Sequence, residues 1–187
     1  MIRKHTALGI EAKMEAMGFI IPAFHLVGIR SQNSVPNKFD DNFYVIENHK
    51  LLGQSPYWCT TNPGKDWLEK LLNPKGTAIL CADRQYVNCF RLGLHKGKEA
   101  LVQCADLWVY RDDNNNGIEE QLKGPMIAGP ECRIDIHGTY KNWVSQEVGA
   151  YSAGCQVLNN PPHYQEMINF CKGSAKSLFT YTLLSEF

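Results

Sequence analysis

The spacing of apolar residues changes beyond Pro22. In residues 7–17 they recur at i, i+4 and i+7, which is the pattern of one face of an α-helix. Thr6 is suited to cap the start of this helix, and Gly18 is suited to end it. The pattern therefore predicts an amphipathic helix, and we expect residues 1–20 to pack on the rest of the chain.

The segments after Pro22 are short and rich in β-branched or aromatic residues, and clusters of Gly, Pro, Asn and Asp separate them. Many short strands with few helices favour a β-sandwich or a partly closed barrel with peripheral helices. We therefore predict a mainly β, single domain over residues 1–187, with its β-rich core over 22–187. The predicted strands are 24–30, 42–48, 76–81, 88–94, 100–104, 106–111 and 178–184, and the predicted helices are 66–72 and 162–177.

Composition and charge exclude several classes of partner. Lys+Arg and Asp+Glu both number 19, so the formal net charge is zero, and neither nucleic acid nor an anionic membrane surface is an expected partner. No apolar run approaches the roughly 20 residues that span a bilayer, so we expect no membrane insertion. Charged residues over 11–15 interrupt any signal-peptide core, which predicts synthesis in a cytoplasm without a secretion signal. We expect a monomer.

Seven cysteines are present, and none lies in a C-x-x-C or C-x-x-H spacing. We expect most of them to be reduced and buried, and we expect no metal and no cofactor. The segment "DDNNNG" resembles the start of a calcium-binding loop at Asp112, but Lys123 stands where the bidentate glutamate belongs. A polar turn is the better interpretation, and a weaker ion site that uses Glu120 stays open.

Residues 134–158 contain a histidine on a strand-like segment and a cysteine that directly follows small residues. In "IDIHG", apolar and polar residues alternate up to His137, and Gly138 follows at the strand end. In "SAGC", small residues before Cys155 leave room for a substrate carbonyl and for backbone N–H groups that stabilise an oxyanion. A neighbouring imidazolium lowers a thiol pKa from about 8.5 and supplies a thiolate.

His137 is thus the candidate base for Cys155. A hydrogen bond from its other ring nitrogen to the carbonyl of Gly138 would fix the tautomer. The alternative is a buried cysteine and a hydrogen-bonded strand histidine with no shared role.

The ordered pair "IHGT" and "SAGC" resembles the signature of the L,D-transpeptidase catalytic family. In that family the cysteine attacks the carbonyl between the third and fourth residues of a peptidoglycan stem peptide. The resemblance implies that Cys155 is the nucleophile, that His137 is the base and that Gly138 contributes the orienting carbonyl. It also implies that backbone N–H groups around Ser152 and Gly154 form the oxyanion hole.

A broader stretch, residues 26–184, resembles small phage-encoded proteins with an L,D-transpeptidase-like domain. The segments that carry this resemblance are "PNKFDDNFYVIEN", "TTNPG", "GLHKGKEALVQ" and "YRDDNNNG". It implies an endolysin that is made in the host cytoplasm and acts on the cell wall in the periplasm. One departure is the sequence "GCQVL", because the family commonly has an arginine two residues after the cysteine and this chain has Val157.

The carboxylate of a stem peptide therefore needs another partner. Arg30, Arg84, Arg91 and Arg111 are candidates because a guanidinium binds a carboxylate bidentately, and Arg30 is the first choice. His95, at a predicted strand-to-turn junction, is a candidate lining residue of the pocket. For each of them a purely structural role stays open.

These observations predict a cysteine peptidase that hydrolyses peptidoglycan stem peptides through a thioacyl-enzyme. Two alternatives remain. The first is an L,D-transpeptidase that cross-links peptidoglycan, and the second is a non-enzymatic module that binds wall peptides or serves as a phage structural part.

Overall fold

The computed structural model describes residues 4–32, 35 and 37–187, and it is mainly β, with 38% strand and 19% helix. The helices are α1 (Ala7–Ala16), α2 (Lys65–Glu69) and α3 (Pro161–Gly173). The strands are β1 (Phe24–Arg30), β2 (Asp41–Glu47), β3 (Lys50–Leu51), β4 (Tyr57–Thr60), β5 (Thr77–Leu80), β6 (Arg84–His95), β7 (Lys98–Gln103), β8 (Leu107–Asp112), β9 (Lys123–Ala128), β10 (Ile136–Gly138), β11 (Gln156–Leu158) and β12 (Phe179–Ser185).

Eight strands form a mostly closed barrel. They follow one another in the order β1-β12-β6-β7-β10-β11-β4-β2, and β2 pairs back with β1. The pairs β1–β12 and β10–β11 are parallel, and the other barrel pairs are antiparallel. A barrel of eight strands is just wide enough for side chains to fill its interior. The predicted mainly β fold with peripheral helices is confirmed.

The residues of β1 alternate between two hydrophobic cores. Leu26 belongs to the main core, whereas Val27 and Ile29 pack on the opposite face beneath α1, against Ile10 and Met14. All five side chains are fully buried, and burial of each stabilises the fold by about 1.5–3 kcal/mol. The apolar face that the sequence predicted for the first helix thus covers the outside of the barrel.

A second, three-stranded sheet of order β5-β8-β9 lies beside the barrel. The loop between β8 and β9 is held by its own polar side chains, because Glu120 donates its N–H to Asp112 at 2.7 Å and accepts from Asn116 at 2.8 Å. Lys123, the first residue of β9, forms an ion pair with Asp113. These contacts make the loop the polar turn that the sequence favoured.

The elements that the sequence did not predict are short or irregular. β11 has three residues, and β9 contains a Gly-Pro pair and is mostly exposed. Hydrogen bonds to neighbouring strands, rather than local sequence preference, define such elements. The predicted helices 66–72 and 162–177 are both present but end earlier, at Glu69 and Gly173.

All seven cysteines lie in the described part of the chain and are free thiols; five of them are buried and two, Cys104 and Cys132, are partly exposed. None of the helices among the described residues has the length and apolar character that a membrane span requires.

A substitution at Gly28 tests the packing inside the barrel. A Cβ at this position would clash with the hydroxyl group of Tyr181, a fully buried side chain. Gly28→Ala should therefore lower the free energy of unfolding by about 1–3 kcal/mol in urea denaturation. The control is Gly173→Ala, which meets no atom within 4 Å and should change stability by less than about 1 kcal/mol. Equal effects of the two substitutions would contradict the described packing.

Candidate active site

The parallel pairing of β10 with β11 brings His137 and Cys155 together. Ile136 pairs with Gln156 and His137 with Val157, so Cys155 precedes its strand beside the start of β10. The Sγ atom of Cys155 and one ring nitrogen each of His137 and His95 all lie within 4.8 Å of one another. The two residues that the sequence singled out thus share one site, and His95 joins them.

The His137 ring is fixed by its own strand. Its Nδ1–H donates to the carbonyl oxygen of Gly138 at 2.8 Å, which leaves Nε2 as the nitrogen that can accept a proton. Nε2 is buried and has no hydrogen-bond partner among the described residues. Gly138 allows close packing here, because a Cβ would lie 2.8 Å from the ring of Tyr164. The orienting contact expected from the sequence is present.

Burial keeps both the His137 imidazole and the Cys155 thiol neutral. Burial, with a smaller contribution from neighbouring His95, lowers the pKa of His137 to about 4. Burial also raises the pKa of the Cys155 thiol to about 12. This is the opposite of the lowered thiol pKa expected from the sequence, because loss of hydration outweighs the nearby positive charges. The site at rest holds a thiol and an imidazole rather than an ion pair.

His95, at the end of β6, stacks on His137. The ring centroids are 4.2 Å apart and the planes differ by 13°. The Tyr140 ring also stacks with His137, at a centroid distance of 5.6 Å and an angle of 13°. His95 donates from Nδ1 to Oδ2 of Asp135 at 2.8 Å, so its ring is fixed as firmly as that of His137.

Asp135 is a fully buried carboxylate with several donors. Besides His95, the Gln103 N–H donates to it at 2.9 Å and the Arg133 guanidinium donates at 2.9 and 3.2 Å. Burial by itself raises the pKa of Asp135, but the hydrogen bonds from His95 and Arg133 lower it below its ordinary value. Sequence reasoning missed this residue as a site member. The signal was its position two residues before His137, on the same face of the strand.

The turn before Cys155 is shaped by Ser152 and Gly154. The Ser152 hydroxyl donates to the Cys155 carbonyl at 2.7 Å and accepts from the Gly154 N–H at 3.2 Å. Gly154 has φ +123°, and a Cβ would lie 2.8 Å from the carbonyl oxygen of Ala78. The Gly154 N–H already donates to Ser152 within the turn. Of the backbone N–H groups expected to bind an oxyanion, only its neighbours are therefore left. The thiol itself donates to the carbonyl of Arg133 at 3.4 Å.

A cavity of about 700 Å³ contains Cys155 in its wall. Trp67 lines one side of it, and its indole donates to the Ala150 carbonyl at 3.0 Å. Gly64, three residues earlier, donates its N–H to the Ser152 carbonyl at 2.8 Å. Four basic residues and one acidic residue also line the cavity: Lys75, Lys96, Arg111, Arg133 and Glu131. The cavity is therefore suited to an acidic ligand.

Arg30, the first-choice carboxylate clamp, lies elsewhere. It lines a separate cavity of about 350 Å³, where it donates to the hydroxyl and carbonyl of Thr61 at 2.9 and 2.8 Å. Arg84 stacks over Trp108, at 4.9 Å from the ring centroid. Of the four candidate arginines, Arg111 alone is among the residues described as lining the cavity of Cys155. Arg111 donates to the Gly76 carbonyl at 3.0 Å, so its position is fixed.

The three donor atoms of Cys155, His137 and His95 are close enough to be considered as metal ligands. However, the two imidazole planes are almost parallel, at 13°. Lone pairs in stacked parallel planes do not converge, whereas tetrahedral zinc requires each imidazole to point at the ion from about 2.0–2.1 Å. The arrangement fits proton transfer better than chelation by both rings.

No known family's model matches this chain, and neither a curated protein nor a solved structure shows a significant match to it. Function is therefore inferred from the geometry of the site and from the motif resemblance.

The low pKa of His137 predicts a specific acid sensitivity. Between its folded pKa of about 4 and the ordinary 6.5, the unfolded chain binds this proton and the folded chain does not. Stability is therefore lost as pH falls, by on the order of 2 kcal/mol between pH 7.5 and pH 5. Urea denaturation should show this loss in the native protein and a smaller one in His137→Asn, whose amide nitrogen can replace the Nδ1 donor. An equal loss in both proteins would contradict a buried neutral imidazole.

Proposed function

We propose that this protein is a cysteine peptidase that hydrolyses peptide bonds in peptidoglycan stem peptides, as a phage endolysin does. The observation that carries the proposal is the pairing of Cys155 with His137, whose Nδ1 is held by the Gly138 carbonyl. The thiol lies in the wall of a cavity large enough for several peptide residues. The order of these residues along the chain is that of the L,D-transpeptidase signature.

The proposed reaction begins with a neutral Cys155 thiol and a neutral His137 imidazole. Because the thiol pKa is raised to about 12, a preformed thiolate is not the nucleophile. His137 Nε2 takes the thiol proton as the sulfur attacks the substrate carbonyl, so proton transfer and bond formation occur together. The product of this step is a thioacyl-enzyme on Cys155, which water then hydrolyses.

The oxyanion of the tetrahedral intermediate needs preorganised donors. Ser152 fixes the turn through the Cys155 carbonyl and the Gly154 N–H. The backbone N–H groups of Ala153 and Cys155 are the remaining candidates on this turn. Removal of one such donor in other enzymes costs about 10²–10³ in kcat, so this turn is a large part of the proposed catalysis.

The basic lining of the cavity supports an acidic peptide as substrate. Arg111 and Lys96 are on its walls, and stem peptides carry free carboxylates. In this proposal Arg111 replaces the arginine that the family has after its cysteine. We also propose that the protein is made in the host cytoplasm and acts on the cell wall in the periplasm.

Digestion of purified Gram-negative peptidoglycan tests the proposal. The native protein should release new peptide fragments, detected by mass spectrometry, because its thiol can form the thioacyl intermediate. Cys155→Ala should release none, and His137→Asn should be slower by about 10²–10⁴ because the base is lost. Thermal unfolding of each variant checks that the fold is retained.

The control is Cys171→Ala, which removes a buried thiol outside the cavity and should leave the digestion intact. New cross-links instead of cuts would favour the L,D-transpeptidase alternative. Wall material left unchanged by the native protein would overturn the peptidase proposal and favour the binding module.

A further inference from the structure

Two histidines lie close to Cys155, but they differ in their access to the cavity. The side chain of His95 is 12% exposed and lines the cavity. His137 is 2% exposed and is not among the residues described as lining it. A substrate amide bound in the cavity can therefore contact His95, whereas His137 is almost completely buried.

The partners of the two rings also differ. His95 donates from Nδ1 to the carboxylate of Asp135, which is kept ionised by its donors. His137 donates from Nδ1 to the neutral carbonyl of Gly138. A carboxylate compensates the charge of an imidazolium, and a carbonyl does so only weakly. Asp135 thus offers His95 a charged partner, whereas the partner of His137 is neutral.

The stacking of the rings makes two positive charges on the pair unfavourable. At a centroid distance of 4.2 Å, two imidazolium ions repel each other strongly in a buried site. The charge of His95 is accordingly one of the causes that lower the pKa of His137. A positive charge on one ring therefore disfavours a positive charge on the other.

We propose that the two histidines divide the proton transfers of the reaction. His95, held by Asp135, is the acid that protonates the departing amine and the base that later activates water. His137 takes the proton of the Cys155 thiol and returns it. This inference rests on the proposed peptidase function and adds a second catalytic histidine to it.

The protons balance over the cycle. In acylation, the S–C bond forms as the thiol proton moves to His137 Nε2, and the C–N bond breaks as His95 gives its Nε2 proton to the amine. His137 is then charged and His95 is neutral. In deacylation, His95 takes a proton from water as the hydroxyl oxygen bonds to the carbonyl carbon. The C–S bond breaks, and the sulfur recovers its proton from His137.

The test compares His95→Asn with His137→Asn on two leaving groups. The asparagine amide nitrogen takes the place of Nδ1, so each variant keeps its donor to Asp135 or Gly138 and loses Nε2 with the rest of the ring. One substrate is the stem tetrapeptide, whose amine leaving group needs a proton. The other is the stem tripeptide 4-nitrophenyl ester, whose phenolate leaves without one. The readouts are tetrapeptide cleavage and the burst of nitrophenolate, which reports acylation alone.

His95→Asn should lose about 10²–10⁴ in tetrapeptide cleavage but keep the nitrophenolate burst. His137→Asn should lose both, and Asp135→Asn should follow the pattern of His95→Asn. Full tetrapeptide cleavage by His95→Asn, or a burst lost as completely as in His137→Asn, would overturn the division of roles. A purely structural role for His95 would affect both substrates equally.

Alkylation of Cys155 by iodoacetamide separates this inference from the proposed function. Iodide leaves without a proton, and the reaction needs no wall substrate. Mass spectrometry of the Cys155 peptide should show equal rates in the native protein and His95→Asn, and a slower rate in His137→Asn. A native protein that attacks neither stem-peptide substrate overturns the proposed function. If alkylation is as slow in His95→Asn as in His137→Asn, the inference fails even where the native protein cuts the wall.

Discussion

The parallel contact between β10 and β11 is the constraint on which the site depends. It sets Cys155 at the start of one strand beside His137 on the next, although the two residues are 18 positions apart in the sequence. β10 in turn pairs with β7 through Ile136 and Leu101, so the contact is part of the barrel wall. Side chains on paired strands are held by the rigid sheet, so the thiol and the imidazole keep a fixed relative position.

Burial then determines the chemistry that this geometry can perform. The same loss of hydration that raises the pKa of the Cys155 thiol lowers the pKa of His137, and both effects favour neutral groups. Asp135 is the exception, because its donors keep a carboxylate in the interior. One fixed negative charge, two stacked histidine rings and a neutral thiol can move protons without separating charge over a long distance.

Much of the fold and part of the candidate site could be predicted from the sequence. The features that could not be predicted depend on the tertiary fold. The apolar spacing of residues 7–17 predicted α1, and the strand-like segments predicted a mainly β fold, because local periodicity reports which face is buried. The positions of Cys155, His137 and Gly138 followed from a local motif. The locations of Arg30 and Arg111 could not be predicted, because they depend on the order of strands around the barrel. The lowered thiol pKa was the wrong expectation, since burial depends on the tertiary fold.

The most direct test of the account is the detection of the thioacyl intermediate. Native protein mixed with stem tetrapeptide and quenched in acid within the first turnover should carry the acyl group as added mass on the Cys155 peptide, and Cys155→Ala should carry none. Cleavage of the tetrapeptide with no adduct on Cys155 at any quench time, together with unimpaired cleavage by Cys155→Ala, would contradict the account.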